Sequence, residues 1–448
     1  MKKFIESISN VWKIEELKNR ILLTLGLLLI YRFGAHVTLP GIDATQLSGL
    51  AGQTKQGIGS VLDMFTGGAF SKASVFALGI MPYISASIVV QLMGIAIPYL
   101  QKLQSDGESG RKKINQITRW LTIGITLLQG PTYIYNLYRT LPSNAFLLGF
   151  NSFEFLFSSV VILTTGTIFA MWLGEKITDK GIGNGISLLI MVGILARLPQ
   201  AFIQEFTTRV TNNNGGPMLL VIEIIVWLLV IISCVLLVMA VRKIPVQYAR
   251  RTSTGDYEQD LMGGNRQWIP LKLNAAGVMP IIFAQAIMFI PAAVAGLSKS
   301  DASQSIVGAF SNMFGFWYNL VFATLIVVFT FFYTAITVPT NKMSDDLKRS
   351  GGFIPGVKPG VETSDFLDKV MSLITFPGSL FLALIAVFPA IVVSVMDVQQ
   401  SWAMFFGGTS LIIMVGVAID TIQQINSYLL NQHYDGLMKT GKNRKAVA

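Results

Sequence analysis

The amino-acid sequence predicts an all-α polytopic membrane protein, and two observations carry this prediction. Of 448 residues, 52% are hydrophobic and only 13% are charged, which is far less charge than soluble domains carry. The apolar residues also form blocks of about 20 residues, each long enough to cross a bilayer as a helix. We count about ten such blocks, at residues 21–37, 75–99, 119–139, 155–173, 185–206, 218–241, 273–296, 316–338, 371–395 and 404–423.

The net charge of +10 predicts how the chain is oriented. With the N-terminus in the cytoplasm, most lysines and arginines fall on cytoplasmic connections, as the positive-inside rule expects. An even number of spans then returns the C-terminus to the cytoplasm. Ten spans divide into halves at residues 1–206 and 207–438, followed by a tail at 439–448. Five spans in each half permit inverted topology, although we see no convincing similarity between the halves.

The termini, cysteine and histidines argue against several other classes of protein. The first block begins near Ile21 without a small-residue cleavage site, so we expect a retained helix rather than a signal peptide. The single cysteine, Cys234, lies inside an apolar block and gives no disulfide framework. His36 and His433 are far apart in sequence, so we predict neither a metal site nor a cofactor.

The apolar blocks lack the residues that catalysis or ion coupling would need. Ion-coupled transporters usually keep ionisable groups inside the membrane. Here the charged residues lie near the ends of the blocks, at Glu154, Glu175, Arg197, Glu223 and Asp397. We also find no phosphate-binding loop and no catalytic constellation. The sequence therefore predicts no enzyme, and any work must be supplied from outside the chain.

Three connections between the blocks are longer than a simple turn. Residues 242–272 and 340–370 are basic, rich in turn residues and predicted to be cytoplasmic, which suggests a function beyond anchoring topology. The alternative is that they only anchor topology, although "PGVKPG" at 355–360 is more than an anchor needs. "GIGSVLDMF" at 57–65 is apolar but too short to span, so it is either an interfacial anchor or a re-entrant segment.

Isoleucine recurs at every fourth position in "ALGIMPYISASIVVQL", residues 77–92. This spacing places Ile80, Ile84 and Ile88 close to one face of a helix. That face could contact lipid, another helix or a passing molecule, and the spacing alone favours helix packing or lipid.

Eight motifs give the chain a resemblance to the SecY family, the channel subunits of the protein-conducting translocon. They cover nearly the whole chain: "LPGID" (39–43), "FTGGAFSKASVFALGIMPYISASIVVQL" (65–92), "GESGRKKINQITR" (107–119), "TGTIFAMWLGEKITDKGIGNGIS" (165–187), "PVQYARR" (245–251), "IPLKLNAAGVMPIIFA" (269–284), "SGGFIPGVKPG" (350–360) and "FGGTSLII" (406–413).

The resemblance implies two halves around a central pore with an apolar ring at its waist. Matching the motifs residue by residue gives the ring as Ile80, Ile84, Ile190, Ile282 and Ile413. An apolar constriction is poorly wetted and therefore opposes hydrated ions. Dispersion contacts with isoleucine do not depend on the sequence that passes, so one ring serves many polypeptides.

The resemblance also implies a plug and a lateral gate. The plug would cover about residues 58–70, with Ile58, Val61, Leu62, Met64 and Phe65, and its glycines suit a segment that folds back and swings away, although they equally suit a simple loop. Spans two and seven would form the gate through small and mildly polar residues. The gate residues would be Ser85, Ser87, Ile88, Gln91, Asn274 and Gln285, each of which could instead satisfy a nearby backbone carbonyl.

The partners implied by the resemblance are a SecE-like and a SecG-like subunit, the SecA motor, the ribosome, the secretory polypeptide and membrane lipids. Nucleic acid would be met only as ribosomal RNA, a polyanion that suits clustered basic residues. The docking residues would be Arg242, Lys243, Arg250, Arg251, Lys348, Arg349 and Lys358. The chain departs from the family at Lys358, where arginine is usual, and lysine keeps the charge but loses the planar fork.

The implied function is a channel of the prokaryotic plasma membrane that moves unfolded secretory polypeptides and releases transmembrane segments into lipid. A motor or the ribosome would supply the energy. The alternatives are a secondary transporter, which needs a polar site at mid-membrane, and a lipid-modifying enzyme, which needs a catalytic cluster. A plastid member of the same family is a third.

Overall fold

The computed structural model describes residue 12 and residues 14–47, 63–142, 145–146, 152–211, 216–248, 266–285, 287–288 and 312–444. The predicted plug residues Ile58, Val61 and Leu62 and the docking residues Arg250 and Arg251 lie outside these ranges. The chain forms two units. Unit 1 contains residues 1–214, 399–402 and 417–448, and unit 2 contains residues 215–398 and 403–416. The predicted boundary at Phe206 remains a prediction.

Helices make up most of the described chain. In chain order they are α1 (Glu15–Gly34), α2 (Met81–Ala96), α3 (Pro98–Ser105), α4 (Gly107–Thr140), α5 (Ser152–Lys180), α6 (Gly185–Thr211), α7 (Gly216–Met239), α8 (Phe316–Thr337), α9 (Thr340–Arg349), α10 (Val361–Met396), α11 (Gln400–Ala403) and α12 (Gly408–Arg444). A further helical stretch covers residues 279–285.

The helices confirm the predicted class of all-α membrane protein. Within the described ranges, six helical segments are long and apolar enough to cross a membrane. A seventh span results if α2 and α3, which meet at 103°, are taken as one broken span. α1 and α4 coincide with predicted blocks but carry more polar residues, and the block at 273–296 is described only as far as Met288.

The second apolar block begins its helix later than the sequence predicted. Residues 75–80 form turns, and α2 begins at Met81. Gly79 has a φ of +53°, a left-handed conformation that glycine adopts without steric cost. Pro82, in the first turn of α2, has a fixed φ suited to starting a helix there.

The two long connections of unit 2 contain a small sheet. Its strands are β1 (Val241–Tyr248), β2 (Arg266–Lys272) and β3 (Gly352–Phe353), antiparallel and in the order β2-β1-β3. Their inner face packs with α9 and the first turns of α10. This sheet cluster consists of Ile244, Val246, Leu271, Leu347, Ile354, Leu367 and Met371. The described parts of the two predicted docking connections therefore form a small sheet packed against helices, which the turn-rich sequence did not predict.

Candidate functional site

The five predicted ring isoleucines lie on helices or at a helix end. In unit 1, Ile80 caps the N-terminus of α2, and its carbonyl accepts the backbone N–H of Ile84 at 3.1 Å. Ile190 is buried on α6. In unit 2, Ile282 is half-buried in the helical stretch 279–285, and Ile413 is buried on α12. The ring itself remains a prediction.

The described part of the predicted plug is buried inside unit 1. Every residue from Asp63 to Ser71 is buried, including Met64 and Phe65. The segment passes so close to α6 that a methyl group on Gly67 would lie 2.9 Å from the Cα of Gly193. The Oη of Tyr133 on α4 donates to the carbonyl of Phe70 at 2.9 Å. This segment therefore folds back against protein instead of lying exposed.

Two arginines bind the same segment from two helices. Arg197 of α6 forms an ion pair with Asp63, and its Nη2 donates to the Oγ of Ser71 at 2.9 Å. The backbone N–H of Ser71 donates to the Oδ1 of Asp63 at 2.8 Å. Arg32 of α1 donates to the carbonyl of Gly67 at 2.6 Å. We name these five residues, Arg32, Asp63, Gly67, Ser71 and Arg197, the arginine clasp.

The clasp corrects one expectation from the sequence. Arg197 was expected near the end of a span, but it lies in the middle of α6, which continues to Thr211. It is tolerated there because Asp63 neutralises its charge and Ser71 accepts a further hydrogen bond from it. Next to the clasp, burial and then the charge of Arg32 lower the pKa of Lys72 in the connecting segment.

The predicted gate residues are divided between the two units. On α2, Ile88 is buried, while Ser85, Ser87 and Gln91 are half-buried, and the Nε2 of Gln91 donates to the Oγ of Ser87 at 3.3 Å.

In unit 2, Gln285 is buried. The buried Oδ1 of Asn274 has no hydrogen-bond partner among the described residues. Their common role as a gate remains a prediction.

The described docking residues are exposed on an ordered support. Arg242 and Lys243 begin β1, and Lys348 and Arg349 end α9, where positive charge suits the helix dipole. The side chain of Lys358 is 85% exposed and lies 3.5 Å from Glu362.

Hydrogen bonds fix the turn that carries Lys358. Its carbonyl accepts the Oγ1 of Thr363 at 2.8 Å, and the carbonyl of Gly360 accepts the Oγ of Ser344 at 2.6 Å. Lys358 therefore presents an exposed charge on a fixed turn.

Sequence reasoning missed three features of the described chain. One is the arginine clasp. Another is a buried ion pair on α6, in which the Nε of Arg209 lies 2.8 Å from the Oε1 of Glu205. The third is Trp268, which is 54% exposed on β2 and pairs with Pro245 of β1. The charges could have been flagged because ionisable residues inside a span need partners, but the partner of Arg197 is remote in sequence. Among the described residues, no three His, Cys, Asp or Glu side chains cluster as metal ligands.

Apolar helices of spanning length, combined with a buried segment too short to span, define a polytopic membrane protein. The family model described as SecY matches residues 74–422. The SecY translocase subunit of Haemophilus influenzae is 40% identical over 430 residues, covering 95% of this chain and 94% of that protein. That of Streptomyces scabiei is 38% identical over 445 residues, covering 97% and 100%. The chain belongs to the SecY family.

Solved structures agree on the fold. A structure described as a protein conducting channel has a TM-score of 0.58 at 16% identity, with 91% of each chain covered. The Sec61 channel of a canine ribosome–channel complex has a TM-score of 0.53 at 15% identity, again with 91% of each chain covered. At these identities the likeness establishes the fold alone.

Proposed function

We propose that the chain is the channel subunit of a prokaryotic plasma-membrane translocase, with both termini in the cytoplasm. It moves unfolded secretory polypeptides across the membrane and releases transmembrane segments into lipid. It has no ATPase of its own, so a motor or the ribosome drives it. Family membership supports this function, and the basic connections at 242–272 and 340–370 support the orientation.

The observation that carries the proposal is the buried segment at residues 63–71. It neither spans nor lies exposed, and it contacts α6 at Gly193, within one turn of Ile190. Its residue Thr66 also lies against Gly79, since a methyl group on Gly79 would lie 3.0 Å from the Cγ2 of Thr66. The next residue, Ile80, is another proposed ring residue and the N-cap of α2. Contacts with Gly193 and Gly79, which lie close in sequence to two isoleucines of the proposed constriction, support the assignment of this region as the plug and its anchor. The gate between spans two and seven belongs to the same proposal.

Site-specific photo-crosslinking tests the pathway. We expect a probe that replaces Ile282 to crosslink to a secretory precursor stalled half-way, because a ring residue touches whatever passes. The matched control is a probe at Leu384 of α10, which is 56% exposed in unit 2 and is expected to face lipid. Crosslinking at both positions or at neither, under conditions where export proceeds, would contradict the ring assignment.

The docking surface gives a second prediction, at Lys358. We propose a SecE-like and a SecG-like subunit as stable partners and the SecA motor and the ribosome as partners of the basic connections. Lys358→Glu should weaken motor or ribosome binding several-fold, because an exposed cation is replaced by an anion on a fixed turn. Lys358→Arg keeps the charge and is the control. Binding of the motor or the ribosome to membranes that contain each variant should be measured at two salt concentrations. The loss of binding caused by Lys358→Glu should be smaller at high salt, because salt screens the charge. Equal binding to the Lys358→Glu and Lys358→Arg variants would show that Lys358 is not part of the docking surface.

A further inference from the structure

We propose that a cleft in unit 2 binds the ester end of an acyl chain of a membrane glycerolipid. The cleft lies between α8, α10 and the first turn of α12, beside the end of the helical stretch 279–285, and it encloses about 460 Å³ including its open mouth. We name it the unit 2 cleft, and its polar lining includes Gln285, Tyr318, Asn319 and Thr409. The inference goes beyond the proposed function, because it concerns a lipid held at a fixed site and not the path of the polypeptide.

Three polar side chains line the unit 2 cleft with hydrogen-bonding capacity that the described chain does not use. Gln285, Tyr318 and Thr409 are only 7%, 6% and 6% exposed. Within the described ranges, the amide of Gln285 and the hydroxyls of Tyr318 and Thr409 make no hydrogen bond. Buried polar groups without partners are unfavourable and therefore rare. Three of them around one cleft point to a ligand that supplies the missing partners.

Hydrogen bonds fix the wall of the cleft that precedes α8. The Nδ2 of Asn319 donates to the carbonyl of Met313 at 3.0 Å and to that of Gly315 at 2.8 Å. The backbone N–H of Phe314 donates to the Oδ1 of Asn312 at 3.1 Å. Met313 and Phe314, which both line the cleft, are therefore held in place without a ligand. Such a preformed wall is typical of small-molecule sites.

The lining of the cleft favours an uncharged hydrogen-bond acceptor. The described residues that line it include no Asp, Glu, Lys or Arg, so an ionic group would lose its hydration there without gaining an opposite charge. Gly408 and Thr409 belong to the first turn of α12, where backbone N–H groups lack partners inside the helix and the helix dipole is positive. The hydroxyl of Tyr318 and the amide of Gln285 add further donors. A carbonyl oxygen is the acceptor that suits this set of donors.

The apolar part of the lining and its depth favour an acyl chain behind that carbonyl. Phe314, Phe322 and Met404 supply apolar surface within the cleft. Phe316 and Trp317 are exposed in the first turn of α8, and exposed aromatic residues at the end of an apolar helix are typical of the membrane interface. The ester groups of glycerolipids lie in this interfacial region, next to the hydrocarbon. An ester-linked acyl chain therefore matches both the chemistry and the depth of the cleft.

The experiment labels the full chain in its translocase complex, reconstituted in vesicles of ether-linked phosphatidylcholine that contain a trace of a photoreactive lipid. Two probe lipids carry a diazirine close to the linkage of one chain, which is an ester in one probe and an ether in the other. Mass spectrometry compares labelling in the cleft, at Phe314 and Met404, with labelling at Val328, which is exposed further along α8. The ester probe should exceed the ether probe by about threefold or more in the cleft and equal it at Val328, since only the ester offers a carbonyl.

Variants of the lining connect this preference to the unused polar groups. Gln285→Leu and Thr409→Val each remove hydrogen-bonding atoms at nearly constant size, and each should lower the ester preference in the cleft by about twofold or more. If either variant fails to accumulate, Tyr318→Phe carries the same expectation, since it removes a single hydroxyl. The matched control is Thr324→Val, which removes an exposed hydroxyl of α8 that donates to the carbonyl of Leu320. This control should leave the ester preference unchanged.

Four results would overturn the proposal. Equal labelling of the cleft by the two probes would show that no carbonyl is recognised there. Labelling at Val328 alone would show that the cleft holds only water. An ester preference that survives every lining variant would show that these side chains are not its source. A photoreactive residue in place of Phe314 that crosslinks to a stalled secretory precursor, and not to lipid, would assign the cleft to the polypeptide.

Discussion

Arg209→Met is expected to destabilise unit 1 by about 3–5 kcal/mol, because it leaves a buried carboxylate without its cation. The side chains of Glu205 and Arg209 are only 1% and 3% exposed, and they lie one turn apart on α6. The Oε2 of Glu205 also accepts the backbone N–H of Gln399 at 3.0 Å. The Nε2 of Gln399 donates to the Oγ1 of Thr208 at 2.8 Å. The pair therefore fastens the connection before α11 to the end of α6.

The double variant Glu205→Leu with Arg209→Met should recover much of this loss, since two matched apolar side chains leave no buried charge. It still forfeits the hydrogen bond to Gln399, which costs about 1–3 kcal/mol. The matched control is Arg119→Met, which breaks a pair with Glu175 whose side chains are 50% and 21% exposed. That pair should contribute less than about 1 kcal/mol. Unfolding of the purified complex in detergent measures all three, and equal losses for Arg209→Met and Arg119→Met would refute the burial argument.

Gly185→Leu should be comparably severe, at about 3 kcal/mol or more, because side-chain atoms would enter an occupied helix contact. A Cβ at Gly185 would collide with the carbonyl of Gly174 on α5 and lie 2.7 Å from the Cβ of Ile177. The crowding is reciprocal, since a methyl group on Gly174 would lie 2.8 Å from the Cγ1 of Ile186. The turn between α5 and α6 therefore closes only if both positions lack a side chain.

The control for Gly185 is a second helical glycine with opposite expectations. A methyl group on Gly124 of α4 would meet no described atom within 4 Å. Gly124→Leu should therefore leave stability unchanged or raise it by up to about 1 kcal/mol, since leucine is the better helix former. Thermal melting of both variants, monitored by the loss of monodisperse complex, measures the difference in their stability. A Gly185→Leu variant as stable as Gly124→Leu would show that the helix contact relaxes freely.

The spans were predictable because uncharged blocks of bilayer length have few other uses. The ends of helices were less so: α2 begins at Met81 because of the conformation of Gly79, which an apolar window does not detect. The segment 57–65 was predicted to be too short to span, but its length did not decide between an interfacial anchor and a re-entrant segment. The burial of its described residues, Asp63 to Phe65, was not predicted. Ion pairs such as Asp63–Arg197 join residues that only tertiary structure brings together, so sequence spacing carries no signal for them.

The sheet of unit 2 escaped prediction for a different reason. Proline is normally confined to sheet edges, and both long strands contain one, Pro245 and Pro270. The register explains how they are tolerated. Among the described residues, β3 pairs only with Gln247 and Tyr248, so β2 is the one described strand beside β1 at Pro245. Proline inside a predicted strand argues against that strand when the sequence is considered alone, but it is compatible with this narrow sheet.

Helix α10 runs without a break from the sheet of unit 2 into the predicted span at 371–395. Its 36 residues make a rod of about 54 Å, well beyond the roughly 30 Å of hydrocarbon that it crosses. Leu367 and Met371, near its start, belong to the sheet cluster, whereas Gly378, further along, packs against the carbonyl of Leu273. One continuous helix therefore connects the sheet with the membrane-spanning part of unit 2. Helix α10 is expected to bend most easily at Pro377 and Pro389, where proline interrupts the backbone hydrogen bonds.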